Sequence, residues 1–343
     1  MLGSSTARKR PSMQTTRAAI TGLLCAAVSL GAPIGASAQQ AASGTSLIML
    51  GTQGGPRHTR TRSQPADVIV ANGQPYLIDA GNGVGRQLVL AGLSPFRIHQ
   101  IFITHHHDDH NADLGTLMGL VWSIGIPRPI TVYGPVGTAA YVAGFEQMFA
   151  VNERIRRADF PGSYRIAPHE FFLYQEIGAA VQPRLVYKDQ NIQVDAVENC
   201  HFHKADARGS AYGDAASYAY RFKTSDKTIV ISGDTGACEA LVEFARGADI
   251  LVHEVINVEL LAAAMRKSGQ LTPEAIQDQM RHMEQDHASP ETVGKLAARA
   301  GVGMVVLTHV IPGDESDPVA AYTDGVSRHF KGKVVLASDL ARF

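Results

Sequence analysis

The chain has 343 residues, 45% hydrophobic and 18% charged, so it can bury a core and is not a disordered tail. Its formal net charge of −1 lacks the basic surplus that binding long nucleic acid by counterion release demands. The first 38 residues differ in kind from the rest: "ARKRPSMQTTR" is basic, "AAITGLLCAAVSLGAPIGASA" is apolar and small, and "ASA" before Gln39 is an A-x-A-like cleavage site. This predicts a secretory signal peptide over 1–38, not a membrane span, because the apolar part is short and closes on small residues. Cys25 lies inside it, but Leu24 stands where a lipoprotein signal needs a small residue. Cleavage is expected after Ala38, leaving one soluble periplasmic or secreted domain, 39–343. Arg8, Lys9, Arg10 and Arg17 leave with the signal, so the mature net charge becomes −5. A small or compact substrate suits such a protein better than a polyanion. Cys200 and Cys238 remain; in an oxidising compartment they can pair, with two unpaired buried thiols as the alternative.

The first half of the mature chain reads as short apolar strands, "SLIMLGT", "ADVIVANG", "QPYLIDAG" and "QIFITH", with a helix over "VGRQLVLAGL". "DLGTLMGLVWSIG" then has helical spacing and "PITVYGP" reads as a strand. Residues 137–180 are mixed: "GTAAYVAGFEQMFAVNERIRR" is helical, while "FPGSYRIAPHEFFLYQEIG" has no clear period. Strands resume with "QNIQVDAVEN", "SYAYRFKT", "KTIVISGDT", "ADILVHEV", "VGMVVLTH" and "GKVVLAS". Helices over "ACEALVEFARG", "TPEAIQDQMRHM" and "SPETVGKLAARAG" lie between them. Two strand-rich halves interleaved with helices predict an α/β fold of two packed sheets covered by helices.

Chemistry concentrates at strand ends. "THHHDDH", 104–110, follows the apolar run "IFI". In an extended chain residues i and i+2 point the same way, so His105 and His107 can share a metal while His106 faces away. Asp109 and His110, where the chain turns into a helix, can reach a second metal beside it. Imidazole and carboxylate donors of this kind suit zinc. Further candidates each follow an apolar run: His201 or His203 in "AVENCHFH", Asp234 in "VISGDTG" and His309 in "VVLTHV".

This order of motifs resembles the metallo-β-lactamase superfamily, and more narrowly its ribonuclease Z-like branch. "LGTQGGPRHTRTRS" is similar to that branch's opening strand and glycine loop, and "YLIDAGNGVGRQL" to the segment after it. "ISGDTGACEALVEFARGADILVHEV" and "HASPETVGKLAARAGVGMVVLTHV" resemble the stretches that carry the later motifs. The likeness covers the mature chain except about 137–190. It implies a four-layer αββα sandwich with His105, His107 and His201 on one zinc, Asp109, His110 and His309 on the other, and Asp234 bridging both. His201 is preferred because "VENCH" ends the strand, with His203 left open. Water activated between two zincs is the implied nucleophile; Mn2+ or iron are alternative metals. Asp109 would also orient that water, and Glu254 with His287 would relay a proton to the leaving group. Asp79 is read as a brace for the metal loops.

Two departures bear on the substrate. "HVIPGDES" lacks the arginine that transfer-RNA-processing members place after the last ligand, and no long basic glycine-rich arm is visible. Phe145, Phe149, Phe160, Tyr164, Phe171, Phe172 and Tyr174 of the unmatched segment would wall the pocket with aromatics, core packing being the alternative for most. The resulting expectation is an exported binuclear zinc hydrolase of small phosphodiesters or aryl sulfate esters. A lactonase or β-lactamase-like activity and a catalytically inactive metal-binding protein are the alternatives, and the assembly state, a homodimer included, stays open.

Overall fold

The inner strands of both sheets are buried along nearly their whole length, so each sheet has two apolar faces to cover, which forces four layers. The computed structural model describes residues 44–125, 128–202 and 212–343, all within a compact unit spanning Ala41–Phe343. The signal-peptide reading of 1–38, Cys25 included, and the alternative ligand His203 lie outside the described residues.

The first sheet holds β1 (Thr45–Gly51), β2 (Ala66–Ala71), β3 (Gln74–Ile78), β4 (Gln100–Phe102), β5 (Ile130–Pro135) and β6 (Phe172–Ile177), side by side in chain order. Its first three strands pair antiparallel and the rest parallel. The second sheet is likewise contiguous: β7 (Arg184–Lys188), β8 (Gln193–Glu198), β9 (Tyr218–Lys223), β10 (Thr228–Ile231), β11 (Ile250–Ile256), β12 (Met304–Ile311) and β13 (Lys333–Leu336). There β7–β10 are antiparallel and β10–β13 parallel.

Between the sheets Leu47, Met49, Ile69 and Phe102 pack against Tyr220, Phe222, Ile229 and Val252. The alternate residues Ile48, Leu50, Val68 and Leu77 turn outward onto α1 (Val84–Leu90), α3 (Leu114–Ser123) and α4 (Thr138–Asp159). On the far side Val230, Leu251, Val305 and Leu307 meet α6 (Glu239–Phe244), α9 (Pro290–Ala300) and α10 (Ala320–His329). Short helices α2 (Asp108–Asn111) and α5 (Pro168–Phe171) sit in connections, and α7 (Val258–Ser268) packs on α8 (Pro273–Asp286) around Ala262, Ile276 and Met280. The layer order is helix, sheet, sheet, helix, as expected. Strand β7 and helices α7 and α10 were not separated from their surroundings in the sequence.

One expectation is corrected here. None of the seven aromatics named from 137–190 lines the cavity at the donors. Phe145, Phe149, Phe171 and Phe172 are core, with Phe145 and Phe149 closing over Gly115 and Gly119 of α3. Tyr164 stacks on Trp122 at 4.6 Å between ring centroids, and Phe160 and Tyr174 are exposed. An amphipathic α4 needs large side chains to reach the first sheet, and those phenylalanines supply them.

Candidate metal centre

Parallel strands end together, so side chains just beyond their C-terminal ends converge. Here the first sheet contributes the turn after β4 and the second contributes the turns after β8 and β10 and the end of β12. His105 and His107 leave β4 in extended chain; one short turn, α2, then places Asp109 and His110. His201 follows β8 and Asp234 follows β10. His309 is an extra residue: pairing of β11 with β12 shifts between Glu254–Thr308 and Val255–Val310, so His309 bulges out with φ 43°. Such bulges re-aim a side chain, and this one aims His309 at the centre.

The expected donors fall into two sets, within each of which the donor atoms lie no more than 4.8 Å apart: His105, His107, His201 and Asp234 in one, Asp109, His110 and His309 in the other; Asp234, His287 and His309 form a third group as close. Nδ1 of His107 is 3.1 Å from Nε2 of His105 and 3.2 Å from Nε2 of His201. Asp234 reaches both sets: its Oδ2 is 3.8 Å from His105 Nε2 and 3.1 Å from His309 Nε2, and its Oδ1 is 3.3 Å from His110 Nε2. Asp109 Oδ2 lies 3.3 Å from His309 Nε2 and accepts a 2.9 Å hydrogen bond from the Gly55 N–H. His106 turns away toward Thr138, and Asp108 is exposed.

The donors are braced from behind. His110 Nδ1 donates to Asp79 Oδ2 at 2.8 Å, His105 Nδ1 to Thr104 Oγ1 at 3.1 Å, and His201 Nδ1 to the Asp286 carbonyl at 3.0 Å. Each bond leaves Nε2 to face the centre and fixes the ring. Asp79 also accepts from the Thr104 N–H and hydroxyl, at 2.8 and 2.9 Å. Thr104 and the Asp286 carbonyl escaped the sequence reading. Thr104 opens the histidine run and was visible there, whereas a backbone carbonyl leaves no sequence signal.

Burial readies three of the five imidazoles as lone-pair donors, while the carboxylates favour a proton on the other two that a bound cation would displace. Burial pushes His105 and His107 down and His201 down to about 3, keeping those imidazoles neutral with lone pairs available. Burial works against ionised Asp109, but His110 and His309 outweigh it and hold the carboxyl at about 2. Asp234 is driven below the carboxylate range against burial by the same two imidazoles, which its charge raises in return, His309 to about 10.

These residues fit a divalent metal pair. Among the described residues the buried atoms His110 Nε2, Asp234 Oδ1 and His309 Nδ1 have no hydrogen-bond partner. Leaving such atoms buried and unpaired costs about 1–3 kcal/mol each, which a cation on His110 Nε2 and Asp234 Oδ1 would recover. The donor set of five imidazoles and two carboxylates without thiolate suits zinc, manganese or iron.

Beside the centre, Glu254 Oε1 accepts from Thr235 N–H at 2.9 Å and from His287 Nδ1 at 3.0 Å. Burial would lower His287, but the Glu254 carboxylate outweighs it and raises the imidazole. Both line or back a cavity of about 560 Å3 walled by Pro56, Phe202, Met283 and Ile311 as well as by the donors. Cys200 and Cys238, next to His201 and near Asp234, form a disulfide, with Cα atoms 5.4 Å apart.

A family model described as "Beta-lactamase superfamily domain" matches residues 74–310. Ribonuclease Z of Mycolicibacterium paratuberculosis (strain ATCC BAA-968 / K-10) is 30% identical over 306 residues, covering 86% of this chain and 96% of the relative. Ribonuclease Z of Mycobacterium sp. (strain KMS) is 29% identical over 298 residues, covering 86% and 94%. Human short-form tRNase Z shares the fold at TM-score 0.59 and 22% identity, over 87% of this chain and 98% of that one. Zn2+-bound PqqB from Methylobacterium extorquens does so at TM-score 0.57 and 17% identity, over 87% and 99%. With the family model spanning most of the chain and the ribonuclease Z relatives aligned nearly end to end, the chain belongs to the metallo-β-lactamase superfamily, in its ribonuclease Z-like branch, and is a metal-dependent hydrolase.

Proposed function

We propose that the chain is an exported hydrolase of small phosphodiesters or aryl sulfate esters that works with two zinc ions, one on each donor set. The observation that carries this reading is Asp234, whose two oxygens face both sets at once. Metal bound there supplies Lewis acidity and makes water a nucleophile near neutral pH. Asp109, held by the Gly55 N–H, is placed to orient that water. His287 keeps Nδ1 on Glu254 and turns its other ring nitrogen to the leaving oxygen, to which it gives a proton. The relatives named ribonuclease Z support phosphodiester chemistry.

A small ester is favoured over long RNA by the loop after His309. Its Asp314 and Glu315 set one carboxylate against each of Arg57 and Arg60 of the glycine loop, so these four side chains offer no net positive charge to a polyanion. Export is supported by the 1–38 pattern and by the Cys200–Cys238 bond, which persists best in an oxidising compartment. No helix among the described residues is long and apolar enough to cross a membrane.

Zinc-loaded protein and its Asp234→Ala variant test the reading on bis(p-nitrophenyl) phosphate, p-nitrophenyl sulfate, an acyl lactone and a chromogenic cephalosporin. Phosphodiester or sulfate turnover, with a loss of at least about a thousandfold in the variant, is expected. Turnover of only the carbonyl substrates would replace this reading with the lactonase one. Two bound metals without any turnover would leave a metal-binding protein.

A further inference from the structure

We propose that the substrate is a two-armed ester whose retained arm is neutral and apolar and sits in a second cavity, on the opposite side of Phe202 and His107 from His287. This rests on the phosphodiester reading and adds the substrate's orientation and the class of its retained arm.

The second cavity, of about 660 Å3, shares His107, Asp108 and Phe202 with the first. The Phe202 ring lies 4.7 Å from the His201 ring and 5.4 Å from the His107 ring, so it stands against the donors as a partition between the two spaces. Beyond it the wall is the corner between β5 and α4, with Val136, Gly137, Ala140 and Tyr141, faced by Ala215 and Ala216 before β9. Small side chains leave the room, and the aromatic rings of Phe202 and Tyr141 flank it. The Tyr141 hydroxyl donates to the Asn111 carbonyl at 2.7 Å, which fixes the ring and uses its polar end on backbone.

The surroundings disfavour an anion. The α4 N-terminus, a natural anion site, is occupied by Glu176, whose Oε1 accepts from the Gly137 and Ala139 N–H groups at 2.9 Å each. Asp108 adds a negative charge to the described lining. A flat apolar arm, such as an aryl group, gains ring contact, and the described lining holds no lysine or arginine that would favour an anion instead.

Orientation follows from the proton donor. The leaving oxygen must lie within reach of His287, which lines the first cavity with Met283. The group that stays on phosphorus takes a position to the side of the line from nucleophile to leaving oxygen, and the second cavity offers it open space there, past His107 and Phe202.

The test uses zinc-loaded full-length mature protein and two diesters with one leaving group, methyl p-nitrophenyl phosphate and 1-naphthyl p-nitrophenyl phosphate. Wild type is expected to favour the naphthyl ester at least about tenfold in kcat/KM, and Ala140→Trp, which fills the cavity from an exposed helix position, to bring the ratio near one. Ala216→Leu on the facing wall should reduce the ratio too. A wild-type ratio near one, or a ratio that survives both substitutions, overturns the proposal. If neither diester turns over, the phosphodiester reading fails on its own, and calorimetric binding of 1-naphthylphosphonate against methylphosphonate decides the subsite. Tighter naphthyl binding lost in Ala140→Trp upholds the subsite; equal affinities sink it.

Discussion

Asp79 has φ 55°, a conformation that is costly outside glycine, and it is held there by bonds from Thr104 and His110. That strain sits directly behind a donor, so Asp79 acts as a positioning residue. Asp79→Ala should weaken metal binding by roughly 10–100-fold, read by competition with a chromogenic chelator, and Asp79→Asn should weaken it less because it keeps an acceptor and tolerates the backbone. A variant with wild-type affinity would rule the brace out. Glu254 makes a separate prediction. A proton donor works in its protonated form, so activity falls as pH rises through the His287 pKa, and the Glu254 carboxylate holds that pKa up. Glu254→Gln should therefore shift the alkaline limb of the kcat profile to lower pH and reduce kcat by on the order of a hundredfold. An unmoved limb would mean that Glu254 serves only Thr235. The resemblance already pairs Glu254 with His287, but the Thr104 and His110 partners of Asp79 were not legible in the sequence, because hydrogen bonds across 25 and 31 residues depend on the packed turns.

Among the elements, α2 is only four residues long yet the most consequential, since its single turn carries Asp109 and His110. It is held by backbone contacts with the turn after β3: the Ala80 N–H donates to the His110 carbonyl at 2.7 Å, and a Cβ on Gly81 would collide with the Asp109 carbonyl. Gly81→Ala should push α2 outward, costing about 1–3 kcal/mol in denaturant unfolding and lowering metal occupancy together. Loss of stability with full occupancy would show that α2 moves independently of the donors. The strands that carry the site were legible because each is a short apolar run closed by a turn residue, as in "KTIVISGDT". Helix α7, "VELLAAAMRKS", was not, since it follows β11 after the single residue Asn257, whose side chain caps it through the Leu260 N–H. The aromatic segment misled for a related reason: spacing marks a helix face as apolar, but not whether that face meets a core or a ligand.

At the scale of the molecule the centre joins the two sheets. The His105–His110 run belongs to the first, and His201, Asp234 and His309 to the second. Metal should therefore stabilise the whole fold, by about 4 kcal/mol when free metal exceeds Kd a thousandfold. Chelation should lower Tm and re-addition of zinc should restore it; an unchanged Tm would mean the sheets hold the donors in place without metal. The disulfide, across 38 residues, ties two turns of the second sheet to each other, those that hold His201 and Asp234. The sequence determined by itself the two-sheet class and the candidate donors at the strand ends, in both halves of the chain, because strand periodicity and strand-end residue types are local properties; their assignment to two sets came from the resemblance. Tertiary structure alone decided that Cys200 meets Cys238, that the phenylalanines of α4 are core, that His309 bulges toward the centre and that Phe202 divides two cavities. Those outcomes depend on how closely the two sheets approach and where their turns meet, which no local pattern encodes.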